Sequence, residues 1–337
     1  MADSWSGNTA SDRYAGANLL DRFRAHPAGN VIIVFLVFLA VCVIISLLYP
    51  SDFRFTHPAN IRILMRAIPP LGIMALGVGL LMICGEFDLS VGAVFIIAPY
   101  VMVFAYVNDV PLALAILAGM VSGMGIGLIN GVITTRFGIP SFITTLGMLF
   151  ILRAGARIIA DNRPLSFFPP DGFEDALTGR LGSYVQAQFL WFIGIAVVCY
   201  FFLNRHRLGN HFFAAGGNRE AALSVGINVV QTKLLAFVIC SGLATFAGII
   251  STTRINSATS TPALYLELEA IAICVIGGLA LAGGRGAIVG IVVGTLILQM
   301  VKDVIILAKL PGFYLDMFIG IVIVFGVVLN QIARKKY

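Results

Sequence analysis

Charged residues are scarce in this chain: Asp, Glu, Lys and Arg together make up 11% of its 337 residues. A soluble globular protein carries about 25% charged residues, so this composition cannot cover a water-exposed surface of normal size. Hydrophobic residues reach 59%. Since a membrane-spanning helix needs about 20 predominantly apolar residues, the chain has enough for about ten spans. The composition excludes a soluble enzyme, a disordered chain and a disulfide scaffold.

Residues that carry chemistry are also few. The four histidines lie at the edges of apolar runs or in polar segments, so neither catalytic residues nor a metal site is predicted. The five cysteines lie inside apolar runs without CxxC spacing, which predicts small buried hydrophobic side chains. The sequence contains no Gly-Lys pair and therefore no GxxxxGK[ST] phosphate loop. The chain therefore cannot hydrolyse ATP by that route, and active transport would draw its energy from another chain or from an ion gradient.

Apolar runs follow one another along almost the whole sequence. Ten spans are predicted, at about 30–49, 67–84, 90–107, 112–134, 141–159, 188–203, 233–253, 266–282, 287–307 and 313–330. The predicted fold is an all-α integral membrane protein with about ten transmembrane helices, some of them broken or re-entrant. Residues 29–330 are predicted to form a single transmembrane domain, whose glycines recur every four residues from Gly119 to Gly131 and favour close helix packing.

The polar segments carry the information on orientation. They comprise an N-terminal tail (1–28), two long loops (160–187 and 204–231) and a basic C-terminus (331–337). Lys and Arg are more frequent on the side of both termini, which predicts that both lie in the cytoplasm. The acidic 160–187 loop is then periplasmic and the 204–231 loop cytoplasmic. The net charge of +6 fits this positive-inside bias better than nucleic-acid binding.

Residues 85–90 interrupt the apolar pattern between the second and third spans. The segment is either a tight cytoplasmic loop or a break inside the membrane, which is tolerated only where protein or water surrounds it. Asp88, followed by Leu89 and Ser90, is suited to cap the third span, because a carboxylate there accepts backbone N–H bonds. Direct contact with a substrate is the alternative role for Asp88.

Ionisable residues inside spans are costly and therefore candidates for function. Arg153, near the end of the fifth span, either extends its side chain to the interface or has a functional partner. Glu267 and Glu269 open the eighth span. Lys302 and Asp303 interrupt the ninth, where a structural pair with another helix and a functional site are both open.

The 204–231 loop contains the most specific local pattern. Asn218 is predicted to cap a short helix over 219–225 that ends at Gly226. A short amphipathic helix flanked by basic residues is suited either to docking on a partner or to lying on the lipid surface.

Four stretches together resemble the permease subunits of ATP-binding-cassette importers, in the branch that carries ribose and related monosaccharides. Residues 85–92 (GEFDLSVG) are similar to that family's GGxDLSVG signature, with Glu86 in place of the second glycine. Residues 140–147 (PSFITTLG) and Arg153 resemble its PxFIxTLG…R segment. Residues 217–227 resemble its cytoplasmic GGNxxAAxxxGI loop, and 267–286 its ELDAIAA…GGxxLAGGRG block, with Glu269 where Asp is usual.

The resemblance implies a function for each part of the chain. Two permease chains, identical or paralogous, would form a pathway in the bacterial inner membrane, and a periplasmic solute-binding protein would deliver a monosaccharide or polyol. An ABC ATPase subunit that binds ATP and Mg would dock on the cytoplasmic loop, whereas this chain would bind no cofactor. The docking residues are Gly217, Asn218, Arg219, Glu220, Ala221, Ala222 and Gly226. The candidates for the substrate pathway are Glu86, Asp88, Ser90, Asn130, Thr145, Arg153, Asn256, Glu267 and Glu269.

Four other functions are alternatives to a monosaccharide importer. Related permeases carry nucleosides or branched-chain amino acids. A secondary transporter would use Glu86, Asp88 or Asp303 as proton sites and would depend on the proton gradient. A membrane enzyme would need a catalytic cluster at one face, which the sequence does not contain. A purely structural subunit would tolerate substitution of Glu86 or Asp88.

Overall fold

The computed structural model describes residues 29–161, 163–182, 185–259 and 265–334. This part of the chain forms thirteen helices and four two-residue strands. The helices are α1 (Gly29–Leu48), α2 (Pro58–Ile83), α3 (Val91–Val107), α4 (Leu112–Phe137), α5 (Ser141–Ala160), α6 (Asp171–Thr178), α7 (Ala187–Arg205), α8 (Arg207–Gly217), α9 (Arg219–Ser224), α10 (Val229–Ile255), α11 (Leu266–Ile276), α12 (Ile288–Leu307) and α13 (Phe313–Arg334).

The strands form two short antiparallel pairs. Strand β1 (Leu165–Ser166) pairs with β4 (Ser257–Ala258), and β2 (Arg180–Leu181) pairs with β3 (Val185–Gln186). The predicted 160–187 loop thus contains β1, β2, β3 and the helix α6, which the sequence analysis did not predict. The N-terminal tail 1–28 and residues 335–337 lie outside the described residues.

Seven of the helices, α1, α2, α4, α5, α7, α10 and α12, are long and apolar enough to cross a membrane. The chain is therefore a multi-pass membrane protein, as predicted. The third, eighth and tenth predicted spans correspond to shorter apolar segments: α3, α11 and the Phe313–Gly326 part of α13. The 17 residues of α3 rise about 26 Å at 1.5 Å per residue, less than the hydrocarbon thickness of about 30 Å.

Two boundaries differ from the predicted ones. The helix α2 begins at Pro58, after the N-cap His57, and continues through Pro69 and Pro70, whereas the sequence analysis placed the start of this span at about residue 67. Proline is tolerated inside a membrane helix because neighbouring groups satisfy the freed backbone. The eighth span was predicted to extend to about residue 282, but α11 ends at Ile276. Gly278 then takes a left-handed conformation (φ +81°), which ends the helix.

The core of the bundle forms around α2 and α10, which are largely buried and pack against each other, whereas α1 is mostly exposed. The predicted glycine ladder of α4 lies against α3 and α10. A Cβ added at Gly127 would lie 2.6 Å from the carbonyl oxygen of Phe237, so only glycine permits this approach. All five cysteines are free and buried, which confirms the prediction of small buried side chains.

Candidate functional site

Residues 84–90, between α2 and α3, are largely buried inside the helix bundle. We call this segment the first interruption. Ser141 and Thr145, on the first two turns of α5, accept the backbone N–H groups of Phe87 at 3.1 Å and Leu89 at 3.0 Å. These hydroxyls satisfy backbone that has no helical partner, which is the condition for irregular structure at membrane depth. The segment is thus enclosed by protein, which is compatible with both predicted alternatives.

Asp88, Ser90 and Asn130 form a buried polar cluster at this break, and none of the three is exposed. The Oδ1 atom of Asp88 accepts bonds from the backbone N–H of Ser90 at 2.8 Å and from its hydroxyl at 2.6 Å. The Nδ2 atom of Asn130 donates to Ser90 Oγ at 2.8 Å. Asn130 lies seven residues before the end of α4, so the cluster is about 10 Å inside that end of the helix.

The predicted capping role of Asp88 requires a correction. The N-cap residue of α3 is Ser90, not Asp88. Asp88 lies two residues earlier and stabilises the turn that leads into the helix, because its carboxylate bonds to both donors of Ser90.

Glu86, the departure from the family signature, is ion-paired with Lys233 on the first turns of α10. Both side chains are largely buried, with 11% and 19% of their surface exposed. A pocket of about 250 Å³ borders this pair and is also lined by Arg219 of α9. The pair therefore ties the first interruption to the start of α10.

The second interruption, residues 277–287, follows the short helix α11. Two acidic residues on its first turn bind separate helices: Glu267 pairs with Arg153 of α5 at 2.8 Å, and Glu269 pairs with Lys302 of α12. The Arg153 side chain thus reaches a buried partner and does not simply extend to the interface. The neighbouring Asp303 accepts a bond from Asn60 of α2 at 2.7 Å.

Glycines join the two interruptions to the end of α8. Gly284 donates its backbone N–H to the carbonyl oxygen of Ile83 at 2.9 Å. A Cβ added at Gly216 would lie 2.9 Å from both Cys84 C and Gly284 N, and one added at Gly283 would lie 2.7 Å from Gly85 Cα. We call this contact of residues 83–85, 216–217 and 283–284 the glycine junction. Because the backbones are in close contact here, a displacement of α8 also displaces both interruptions.

The predicted helix of the 204–231 loop is present as α9, with its start at Arg219 and its end one residue early. The Asn218 side chain accepts the backbone N–H of Ala221 at 3.1 Å, which confirms its capping role. Gly226 has φ +80°, as expected for a glycine that ends a helix. Arg219, Glu220 and Ala221 are exposed, while Ala222 is buried and fixes the helix to the bundle. The preceding helix α8 was not predicted.

Most of the predicted pathway residues lie in two groups: Glu86, Asp88, Ser90, Asn130 and Thr145 at the first interruption, and Arg153, Glu267 and Glu269 at the start of α11. The exception is Asn256, which forms the left-handed C-cap of α10 and accepts the Phe167 N–H at its carbonyl. Sequence analysis missed Ser141, Gly216 and the pairing of Lys233. A lysine at the start of an apolar span is itself the signal for a buried acidic partner.

A membrane-embedded helix bundle with two enclosed interruptions, both in contact with a surface-exposed helical loop, is the architecture of a transport permease. Residues 60–327 match the family model described as "Branched-chain amino acid transport system / permease component". The chain belongs to this permease family.

Similar proteins of known function include several sugar permeases. The chain is 34% identical over 306 residues to the ribose import permease protein of Bacillus subtilis, covering 90% of this chain and 92% of that protein. It is 32% identical to the L-arabinose ABC transporter permease protein of Azospirillum brasilense, with 91% and 88% covered. Identity to the galactose/methyl galactoside import permease protein of Escherichia coli is 32%, with 91% and 96% covered. No solved structure matches the chain.

Proposed function

We propose that the chain is the membrane-spanning permease subunit of an ATP-driven importer that translocates a monosaccharide or polyol. The observation that carries the proposal is the glycine junction, where Gly216 of the exposed loop contacts the backbone of both interrupted spans. An ATPase that moves this loop would thereby move the interruptions, which is what coupled transport requires.

Two observations support a sugar as the substrate. The relatives named above import ribose, arabinose and galactose. In addition, ion pairs of the described residues neutralise Glu86 at the first interruption and Glu267 and Glu269 at the start of α11. A zwitterionic amino acid would favour unpaired fixed charges, whereas hydroxyl groups can bond to the remaining donors and acceptors of paired side chains. A branched-chain amino acid, suggested by the family description, is the second candidate.

The proposed topology has ten crossings with both termini in the cytoplasm. The seven long helices supply seven crossings, and α3, α11 with its following turn, and α13 supply the others. The segment of α8 and α9 then faces the cytoplasm, and α6 with β1, β2 and β3 faces the periplasm of the inner membrane. The positive-inside distribution of Lys and Arg supports this orientation.

The partners follow from this arrangement. The exposed residues of α9 and the glycine Gly226 would dock an ABC ATPase subunit, which binds ATP and Mg. A periplasmic solute-binding protein would deliver the sugar, and a second permease chain would complete the pathway. Binding protein and ATP drive transport only if each binds one conformation of the permease better than the other.

The test is reconstitution. The tagged chain is purified from native membranes with its associated proteins and placed in proteoliposomes that contain ATP. We expect a co-purifying ATPase, and uptake of D-ribose, L-arabinose, D-galactose or D-xylose that requires ATP and a binding protein. Uptake of leucine instead of any sugar would support the second candidate. Uptake that persists without ATP and stops when the proton gradient is collapsed would contradict the proposal.

A further inference from the structure

A cavity of about 410 Å³ opens between α2, α3, α10, α11 and α12, at the end of the bundle opposite to the glycine junction. Binding sites for small molecules typically enclose about 300–1,000 Å³, so the volume suits one small ligand. Its polar lining consists of Ser251, Arg254, Glu269, Gln299, Lys302 and Asp303. We refer to it as the α2–α12 cavity.

The charges that line the α2–α12 cavity balance to zero. Glu269 is bound to Lys302, and Asp303 accepts the amide of Asn60 at 2.7 Å. Arg254 donates to the carbonyl oxygen of Arg66 at 2.9 Å. Two basic and two acidic side chains thus face one space, which provides both hydrogen-bond donors and acceptors without a net charge. Such a lining selects a neutral polar ligand over an ion.

These hydrogen bonds leave bonding capacity on the cavity wall. Asp303 uses Oδ2 for Asn60, and Gln299 uses Nε2 to donate to the carbonyl of Ala67 at 3.1 Å. Within the described residues, these bonds do not engage Asp303 Oδ1 or Gln299 Oε1, and the lysine ammonium has further N–H groups. The remaining atoms can bond to the hydroxyls of a ligand.

Stability alone does not account for this polar wall. A charged side chain within a membrane-spanning segment has an energetic cost. Replacing a buried ion pair by apolar residues of similar volume is often neutral or stabilising. The Glu269–Lys302 pair, with 9% and 23% of the two side chains exposed, therefore implies a function that needs polar atoms at this position.

The cavity also leads toward the first interruption. Ile63 and Ile306, both more than half exposed, lie at its rim. Phe95 lines it on the second turn of α3, five residues after Ser90 of the buried polar cluster. A ligand in the cavity would thus rest about one and a half helical turns from the break that the glycine junction connects to the exposed loop.

We propose that the α2–α12 cavity binds one neutral monosaccharide within a single permease chain. Lys302 and Arg254 donate to its hydroxyls, Asp303, Glu269 and Gln299 accept from them, and the Phe95 ring covers an apolar face of the sugar. This inference rests on the proposed function, because it assumes a sugar as the substrate. It adds that the permease itself holds the sugar before the interruption.

The test uses the buried state of all five native cysteines. In the reconstituted transporter, Ser251→Cys places one reactive thiol on the cavity wall, and Ser51→Cys places one in the exposed loop before α2 as a control. We expect the transported sugar to slow the reaction of a small methanethiosulfonate at position 251 at least fivefold and to leave position 51 unchanged. Leucine at the same concentration should protect neither position.

A second pair of variants tests the named side chains. In the Ser251→Cys background, Glu269→Gln together with Lys302→Met removes the ion pair without changing the net charge. We expect the sugar concentration for half-protection to rise at least tenfold, and Lys302→Arg to keep it within threefold. The same substitutions in the Ser51→Cys background should leave the labelling rate at position 51 unchanged, and a monodisperse elution profile establishes that the variants are folded.

The outcomes separate this inference from the proposed function. If the transporter takes up a sugar but that sugar does not protect position 251, the cavity is not its site, while the importer function stands. If position 251 is protected without sugar and this protection disappears after delipidation, the cavity holds a lipid and the inference is overturned. Absence of ATP-driven sugar uptake in the transporter without these substitutions would instead contradict the proposed function.

Discussion

Gly284 donates its backbone N–H to the carbonyl oxygen of Ile83 at 2.9 Å, and this bond joins the ends of two interrupted spans that are about 200 residues apart in sequence. Gly216 lies against the same two segments. Because all three contacts are between backbone atoms, no side chain can rearrange to absorb a displacement. The junction is therefore the shortest physical link between the exposed α8–α9 loop and the interior of the permease.

Gly216→Ala should impair coupling. The new Cβ would lie 2.9 Å from Cys84 C and from Gly284 N, and overpacking of this kind costs about 1–3 kcal/mol. A cost of that size in one state of the transport cycle lowers the rate by a factor of about 5 to 150. We expect ATP-driven uptake in proteoliposomes to fall by about that factor, with the ATPase still bound.

Gly155→Ala on α5 is the matched control, because a Cβ added there meets nothing within 4 Å. Alanine is also the better helix former, so this variant should be at least as stable as the parent chain. Equal uptake rates for the two variants would show that the glycine junction is not needed for coupling.

The Glu86–Lys233 pair should be a strong determinant of stability. Removing one partner of a largely buried ion pair leaves an uncompensated charge and costs about 3–5 kcal/mol. Lys233→Met and Glu86→Gln should therefore each lower the thermal unfolding temperature in detergent. The double variant should recover part of the loss, since neither charge is left unpaired. Strictly additive losses would show that the two side chains do not interact.

Asp88 should be required as a hydrogen-bond acceptor. Asp88→Ala leaves the N–H and hydroxyl of Ser90 without their buried partner, and each unsatisfied group costs about 1–3 kcal/mol. Asp88→Asn keeps an oxygen at the Oδ1 position. We expect uptake and thermal stability to be lost in Asp88→Ala and largely kept in Asp88→Asn. If Asp88→Asn is as impaired as Asp88→Ala, the negative charge itself is needed.

The features that the sequence predicted well depend on neighbouring residues. Asn218 caps α9, and Gly226 ends it, because the side chain and the turn act within a few positions. The break near Asp88 is predictable for the same reason, since polar residues interrupt an apolar run. The Asn218 cap and the position of the break could therefore be read from short stretches of sequence.

The features that the sequence analysis missed depend on contacts between segments that are distant in sequence. The Glu86–Lys233 pair joins residues 147 positions apart, and no local pattern specifies such a partner. Pro69 and Pro70 lie inside α2 because the surrounding bundle tolerates them, although local propensity places a helix start there. The glycine junction requires three segments to meet, so its glycines could only be interpreted once the fold was known.

Disrupting α9 should release the ATPase without removing the permease from the membrane. Glu220→Arg reverses a charge on the exposed face of the helix, and Gly226→Pro forbids the φ of +80° that ends it, because proline fixes φ near −65°. We expect the double variant to reach the membrane at normal levels and to lose its co-purifying ATPase. Gly226→Asn is the control, since asparagine tolerates the left-handed conformation and should retain the complex. A double variant that still binds its ATPase and transports normally would place the docking surface elsewhere, whereas loss of the protein from the membrane would be a folding defect that the asparagine variant should not share.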